Sequence, residues 1–238
     1  MSPEQHLALL LDAPLQAWGF ASRFQRRTTG LHPTKSAVTG LLAAALGLDK
    51  HAPGEAASIR ELARLRFTAI TLPRPNPARS GELPLRRLED YHTVKGTRKA
   101  SGKIDDGTVV SYRHYLLDAR FGVLLTTPAG WQLPDGRGPA ALAAALRDPV
   151  WGIWFGRKCC IPAAPVFAGG PFASLPEAWR ALLHAAGLSE DKPLEAFTRV
   201  EEADSFEAGV DTINDQPVTF AKPNTHAPRR IRVILRSP

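Results

Sequence analysis

Apolar runs and helical patterns alternate through the first third of the chain. Residues 6–12 are almost wholly apolar, which predicts a buried strand. Residues 34–46 are mostly small and apolar, with Thr34 in position to cap a helix and a glycine directly after its end. Residues 55–65 have a second helical pattern, and residues 67–72 alternate between apolar and polar as a strand does.

Two further strands and another helix complete the pattern of an α+β fold. Residues 109–117 and 121–127 are rich in β-branched and aromatic residues, which favour strands. The alanine-rich residues 139–146 predict a helix. The order strand, helix, strand, strand, helix makes up most of a ferredoxin-like or RRM-like unit.

The C-terminal third predicts one helix and several short strands. The helix covers residues 175–186, and the strands lie near residues 197–200, 218–220 and 231–235. These strands either complete the first sheet or form a smaller second one. The hydrophobic pattern does not decide between the two arrangements.

Charge is distributed unevenly along the chain. Thirty Lys and Arg residues against 23 Asp and Glu give a net charge of +7, with a pI near 9.8. Residues 74–103 hold eight basic and three acidic residues, which predicts an exposed basic arm; residues 187–215 hold nine acidic and two basic ones, and residues 216–238 five basic ones and no acid. This distribution suits a polyanionic partner, although solvated loops explain such charge runs equally well.

The signatures of several protein classes are absent. No apolar run reaches the roughly eighteen residues of a membrane helix, and the first residues lack the pattern of a secretory signal, so we expect a cytoplasmic protein with no membrane contact. Phosphate-loop, dinucleotide and zinc-protease motifs are missing, and neither the seven histidines nor the adjacent Cys159 and Cys160 have metal-ligand spacing. We therefore expect no metal, no other cofactor and no small-molecule substrate.

One cluster of residues in the basic arm fits two kinds of RNA chemistry. Metal-free cleavage needs a base for the ribose 2′-hydroxyl, an acid for the leaving oxygen and a cation beside the phosphate. Tyr91, His92 and Lys95, with His114 beyond the arm, could supply those groups. An exposed Tyr–His pair beside lysines also stacks on a base and contacts phosphate without any reaction, and we favour that interpretation.

Two other segments predict anion binding. The helix that begins after Thr34 presents free N–H groups to a phosphate, with Lys35 and Ser36 as further donors, although capping alone also explains Thr34. Arg157 and Lys158 follow two tryptophans and a phenylalanine, which places aromatic surface beside positive charge, as single-stranded nucleic acid requires. The tryptophans equally suit a core or a protein interface.

Five blocks of sequence, in this order, resemble a known family. They are LQAWG at residues 15–19, PTKS and GLLAAALG within residues 33–47, DYHTV at 90–94, YRHYLLDARF at 112–121 and FGRKCCIP at 155–162. Together they resemble the CasD subunits of type I-E CRISPR Cascade complexes, in the RAMP superfamily of repeat-associated RNA-binding proteins. The resemblance runs from residue 6 to about residue 170 and fades beyond it.

The resemblance implies a fold, a function and partners. The fold would be an RRM-like palm of residues 1–72 and 109–170 with an inserted basic thumb at 73–108, followed by a C-terminal helix and strands at 171–238. The function would be that of a non-catalytic subunit that holds the 5′ handle of the CRISPR RNA in antiviral defence. It would cap the Cascade backbone and contact the large subunit and the adjacent backbone subunit. A metal-independent endoribonuclease that processes precursor CRISPR RNA and a basic scaffold for protein contacts remain the alternatives.

Eleven residues are the candidates for contact with the RNA. On the palm they are Lys35, Ser36, Arg113, Arg157 and Lys158, and on the thumb Tyr91, His92, Lys95 and Arg98. Gln16 and Trp18, just past the first strand, are second-rank candidates, and Trp18 also fits a packing role alone. None of the eleven is expected to be catalytic.

Overall fold

The computed structural model describes residues 2–19, 21–22, 25–99, 101–205 and 211–236. Its elements in the first half are β1 (Gln5–Asp12), β2 (Leu15–Gln16), β3 (Arg26–Arg27), α1 (Lys35–Ala45), α2 (Glu55–Ala63), β4 (Arg66–Thr71), β5 (Arg86–Arg98) and β6 (Ile104–Leu117). In the second half they are β7 (Arg120–Thr127), α3 (Pro139–Arg147), β8 (Phe167–Phe172), α4 (Leu175–Ala185), a 3₁₀ turn (Leu194–Ala196), β9 (Arg199–Glu202), β10 (Asp211–Thr219) and β11 (Thr225–Ile234).

The main sheet is antiparallel throughout and has the strand order β10-β11-β9-β4-β7-β1-β8. Four of its strands, β1, β4, β7 and β8, follow one another with helices after the first and third, as in a strand–helix–strand–strand–helix–strand unit. The α+β class predicted from the sequence is confirmed. Strands β9 to β11 extend this same sheet beyond β4, which decides between the two C-terminal arrangements that the sequence left open.

Helices cover both faces of the sheet, which explains why β1 is apolar at consecutive positions. Leu7, Leu9 and Leu11 point to the face packed by α1, α2 and α3, whereas Ala8 and Leu10 point to the face packed by α4. Successive side chains of a strand point to opposite faces, so a strand between two helical layers needs apolar residues at every position. Among the described residues, no helix is long and apolar enough to cross a membrane.

The hairpin of β5 and β6 is inserted between β4 and β7 and projects from the palm. Its strands pair from Arg86 opposite Leu117, at the base, to Arg98 opposite Ile104, near the tip. A second, small sheet forms at the base, where β6 also pairs with β2 and β3. The hairpin is solvated on both sides for most of its length, so β5 lacks the apolar alternation of a half-buried strand and its sequence did not predict it.

Two boundaries expected from the sequence fall inside strands. The boundary between residues 108 and 109 lies within β6, because pairing with β5 carries the strand without interruption from 104 to 117. The boundary between residues 170 and 171 lies within β8, which pairs with β1 of the palm. The inserted unit is therefore a whole hairpin, and the C-terminal segment is continuous with the palm.

The loop after α3 is held against the segment that follows β2. The Ala17 N–H donates to the Phe155 carbonyl over 3.0 Å, and the Trp18 and Phe155 rings lie 5.8 Å apart. At Gly156 the backbone has a φ of +89°, and a Cβ there would overlap the carbonyl oxygen of Ala17. This close approach brings the next two residues, Arg157 and Lys158, beside the small sheet.

Alanine at Gly156 tests how much the fold depends on this approach. Gly54 is the matched control, because its φ is +88° and nothing lies within 4 Å of its missing Cβ. We expect Gly54→Ala to lower the free energy of unfolding by about 1–2 kcal/mol through backbone strain alone, and Gly156→Ala by at least about twice as much. Urea unfolding of both variants measures the difference, and equal losses would show that the contact with Ala17 is relaxed at little cost.

Candidate nucleic-acid interface

A continuous groove runs between α1 and the loop of residues 152–158; we call it the α1 groove. It consists of two adjoining cavities of about 370 and 350 Å³, which share Ser36 and Ala37 on one wall and Gly156 and Arg157 on the other. Further lining comes from Arg27, Asn214 and His226 in the first cavity and from Trp154, Lys158 and Phe220 in the second. The groove is thus built by residues that are far apart in sequence.

Three arginines from three segments meet beside this groove; we call Arg27, Arg113 and Arg157 the arginine cluster. Arg27 of β3 pairs in parallel register with Arg113 of β6, so the two lie side by side. Arg157 donates through Nη2 to the Arg27 carbonyl over 2.9 Å and through Nη1 to the His114 carbonyl over 3.0 Å. Among the described residues, none of the three forms an ion pair, although Asp90 lies opposite Arg113 in the register.

Packing fixes the direction of the Arg157 side chain. Its guanidinium carbon lies 4.5 Å from the centre of the Tyr115 ring, in addition to the two hydrogen bonds to main-chain carbonyls. Burial of the Tyr115 hydroxyl raises its pKa, so the phenol stays neutral at pH values where an exposed tyrosine begins to ionise. Arg157 is therefore a preorganised donor, whereas its neighbour Lys158 is exposed, with its ammonium 5.8 Å from the centre of the Trp154 ring.

One face of the hairpin carries aromatic rings and cations; we call it the tyrosine face. Tyr91 lies opposite Tyr112 in the register, and their ring centres are 5.5 Å apart in an edge-to-face arrangement. The Arg26 guanidinium lies 5.2 Å from the centre of the Tyr112 ring, because β3 pairs with β6 at that position. Tyr91 keeps 59% of its surface exposed, and Lys95 lies on the same face, four residues further along β5.

His92 lies on the opposite face of the hairpin from Tyr91. Its Nδ1 is 2.8 Å from Oδ2 of Asp90, two residues away on the same face, and its register partner is Ser111. His114, by contrast, pairs in register with Glu89 on the tyrosine face, with 2.6 Å between Nε2 and Oε2. The register therefore places His92 on the other face from His114, whereas Tyr91 and Lys95 share the face of His114. The described residues also contain no group of three or more His, Cys, Asp or Glu side chains arranged to hold a metal ion.

The start of α1 already holds an anion from within the chain. Asp215 accepts the Lys35 main-chain N–H over 2.8 Å and binds Arg229 through Nε at 2.6 Å and Nη2 at 3.0 Å. The Lys35 ammonium donates to Glu202 over 2.6 Å, and burial lowers the pKa of this lysine despite the carboxylate beside it. We call Lys35, Glu202, Asp215 and Arg229 the Asp215 network.

Lys35, Gln16 and Trp18 are placed in the interior, which corrects their selection as RNA contacts. Lys35 is buried within the Asp215 network. The Gln16 amide donates to the carbonyls of Leu11 at 3.0 Å and Ala119 at 2.7 Å, and the Trp18 indole donates to Gln16 over 3.0 Å. These bonds join β2 to the main sheet and leave none of the three side chains free to contact a ligand.

The other eight candidates fall into two groups. Ser36, Arg113, Arg157 and Lys158 gather at the α1 groove, whereas Tyr91, His92, Lys95 and Arg98 are spread along the hairpin. Arg98 lies near the tip, opposite Ile104, at the other end of the hairpin from the groove. Sequence reasoning missed Arg26, Arg27 and Tyr112, and the only signal for the first two was an arginine pair in a polar loop.

Much of the acidic stretch in the sequence is neutralised inside the chain. Glu201 pairs with Arg199 at 2.5 Å and Asp204 pairs with Arg66 at 3.1 Å. Glu202 and Asp215 belong to the network described above, which also turns Arg229 away from solvent. These pairs leave less free negative charge near β9 to β11 than the sequence suggests.

Comparisons with known proteins point to one family. The family model described as CRISPR-associated protein (Cas_Cas5) matches residues 6–233. The chain is 32% identical, over 183 residues, to the CRISPR system Cascade subunit CasD of Escherichia coli (strain K12), covering 75% of this chain and 76% of that protein. Its fold is similar to a chain of a solved CRISPR RNA-guided surveillance complex, with a TM-score of 0.67 and 26% identity over 96% of this chain and 89% of that one. A solved structure described as a Cas protein is similar with a TM-score of 0.60 and 29% identity, over 97% and 95% of the two chains.

Removing one charge from the Asp215 network tests its contribution to stability. Arg229→Met leaves a buried carboxylate without its bidentate partner, and we expect a loss of about 3–5 kcal/mol in the free energy of unfolding. The control is Arg66→Met, which removes an ion pair between exposed side chains and should cost less than about 1 kcal/mol. Guanidinium unfolding compares the two, and losses of similar size would contradict a special role for the network.

Proposed function

The chain belongs to the Cas5 family of CRISPR-associated proteins, and on this basis we propose that it is a non-catalytic RNA-binding subunit of a type I-E Cascade complex. In this proposal it holds the 5′ handle of the CRISPR RNA and caps the backbone of the complex in antiviral defence. The named relative is a Cascade subunit, and the similar solved chain comes from an RNA-guided complex. Both support the proposal without defining the RNA contacts of this chain.

The arginine cluster at the α1 groove is the observation that carries this proposal. Arg27 and Arg157 line a groove that also presents Ser36 and the aromatic surface of Trp154, and Arg113 lies beside Arg27. None of the three arginines forms an ion pair with a described residue. Phosphate contacts fix the path of a nucleic acid, and arginine binds phosphate through a planar set of donors. The arrangement therefore suits the backbone of a single strand lying along the groove.

The hairpin would contact the RNA at positions further along the strand. Tyr91 is exposed beside Tyr112 and Arg26, so a splayed base can stack on its ring. Lys95 and Arg98 extend the positive charge toward the tip. His92 lies on the other face, where its hydrogen bond to Asp90 orients it for a separate contact.

Binding without turnover is part of the proposal. His92 and His114 lie on opposite faces of the hairpin, which supports it because these two side chains then do not act as acid and base on one phosphodiester. We assign Tyr91 and Lys95, on the face of His114, to contact with the RNA. We further propose that the chain acts in the cytoplasm, that the β5–β6 hairpin serves as the thumb, and that the large subunit and the adjacent backbone subunit are the protein partners.

Salt titration of RNA binding tests the arginine cluster. The ligand is a synthetic RNA with the sequence of the host repeat's 5′ handle, and the variants are Arg27→Ala and Arg113→Ala in the full chain. Each variant removes a phosphate contact to a single strand, so we expect the slope of log affinity against log salt to become shallower by about 0.7. Arg180→Ala is the control, since Arg180 is exposed on α4, on the other side of the main sheet.

Two outcomes of this titration would contradict the proposal. One is the same slope for Arg113→Ala as for Arg180→Ala, which would remove the cluster from the RNA path. The other is site-specific cleavage of precursor repeat RNA by the wild-type protein in EDTA, lost in His92→Ala or His114→Ala, which would establish the endoribonuclease alternative.

Shortening the hairpin tests its role in assembly. Val94 and Val109 lie opposite each other, so residues 95–108 can be replaced by an Asn-Gly turn without changing the register below them. We expect an unchanged thermal unfolding midpoint, because the described residues of this segment pack against no core. We also expect the shortened chain to be absent from the complex when the other subunits are purified. The control is a full-length chain with Lys95→Ala and Arg98→Ala, which removes the charge of the tip but keeps the length of the hairpin. Recovery of the shortened chain in the complex at the wild-type amount would show that the tip has no part in assembly.

A further inference from the structure

A cavity of about 790 Å³ lies at the base of the hairpin and shares no residue with the α1 groove. Its walls come from the loop before α1, the segment after β4, the loop that leads into β5, the turn before β9 and the end of β11. We call it the basal groove. It is accordingly a junction of five chain segments.

The lining of the basal groove is aliphatic and open to solvent. Four large apolar side chains on its walls are substantially exposed: Leu31 at 51%, Leu85 at 38%, Val233 at 47% and Leu235 at 74%. Contiguous exposed apolar surface on a folded chain is typical of a protein interaction site. Single exposed leucines occur on any protein surface, but four large exposed apolar side chains around one cavity form a cluster.

Nucleic acid is a poor match for these walls. A nucleobase needs a ring to stack on and polar groups for its edges. The Phe197 ring of the groove is buried and lies edge-to-face with Trp179, with 5.1 Å between the ring centres. The other ring of the lining, His32, is partly buried, with its Nδ1 3.0 Å from the Pro33 carbonyl oxygen. The apolar lining is otherwise leucine, valine, proline and alanine, which matches apolar side chains of another protein.

The charged residues at the rim of the basal groove indicate which charge a bound segment would carry. Arg236 binds Glu82 across the groove at 2.9 Å, so those two charges compensate each other. Lys192 has no ion pair with any described residue, and its carbonyl is fixed by the Trp179 indole N–H at 2.8 Å. The rim thus presents the exposed Lys192 ammonium beside the apolar walls, on a main chain that the Trp179 indole holds in place.

The walls are held in position without a ligand. The Arg236 N–H donates to Thr198 Oγ1 over 3.2 Å, which fixes the end of β11. The Leu83 N–H donates to the Arg74 carbonyl over 2.8 Å, and Arg74 is itself bound to Asp12 of β1. A preformed groove needs little ordering on binding, which favours recognition of a short segment.

We propose that the basal groove docks a short segment of another protein, which fills it with apolar side chains and pairs a carboxylate with Lys192. The occupant differs from the RNA proposed for the α1 groove, and the two sites have no residue in common, so both can be filled at once. The inference rests on the lining and charge of this groove and does not depend on the proposed function.

Site-specific photo-crosslinking in intact host cells tests this inference. The probe is p-benzoylphenylalanine at position 235, within the groove, and the control carries it at position 175, an exposed leucine at the start of α4 outside the groove. We expect position 235 but not position 175 to link to one protein, through a segment that mass spectrometry maps to apolar residues with an Asp or Glu. Introducing Lys192→Glu into the probe-bearing chain should lower the yield by about tenfold or more, because the carboxylate would then face a like charge.

A charge exchange completes the test. Replacing the mapped acidic residue of the partner by Lys should restore the crosslink in the Lys192→Glu chain, which a merely misfolded variant would not do; its thermal unfolding midpoint provides the folding control. The inference is overturned by a nuclease-sensitive crosslink to RNA, by a crosslink to a second copy of this chain, by a mapped segment without an acidic residue, or by no crosslink at position 235.

Discussion

The carboxylate of Asp215 at the start of α1 is the contact on which the arrangement of the molecule depends. It accepts a main-chain N–H of the helix and the Nε and Nη2 donors on one edge of the Arg229 guanidinium, and so joins α1 to β10 and β11 across 180 residues of sequence. Two carboxylates and two cations balance within the network, which makes burial of four ionisable groups tolerable. Because α1 forms one wall of the α1 groove and Asn214 and His226 close its end, the same network determines the width of the proposed RNA site.

Internal pairing determines where the net charge of +7 is available. The acidic stretch before β10 and the basic C-terminal strand look in the sequence like two opposed charged surfaces. In the fold, Arg199, Arg66, Lys35 and Arg229 compensate much of that acid. Part of the positive charge that remains lies at the arginine cluster and on the hairpin, where we propose that the RNA binds.

The elements predicted correctly from the sequence are those whose faces are buried. Strands β1, β4 and β7 are apolar because helices pack on both faces of the sheet, and each helix is apolar on the face that packs against the sheet. Thr34 caps α1, as its residue type indicated. Strand β5 escaped prediction because it is held by pairing with β6 and buries little. Residue type alone also could not show that Lys35 and Trp18 point inward, or that Arg27 lies beside Arg113, since only the tertiary fold sets those neighbours.

Because Asp215 already binds the start of α1, the two walls of the α1 groove differ in charge. A carboxylate lies on the side of α1 and β10, and guanidinium groups lie on the side of β3 and the loop of residues 152–158. In the proposed RNA site the phosphates of a bound strand would be drawn to the guanidinium wall, because the Asp215 carboxylate on the other wall is already paired with Arg229. The polarity of the groove would thus fix which edge of the RNA turns toward the helix, and its bases would face Ser36 and Asn214 instead of solvent.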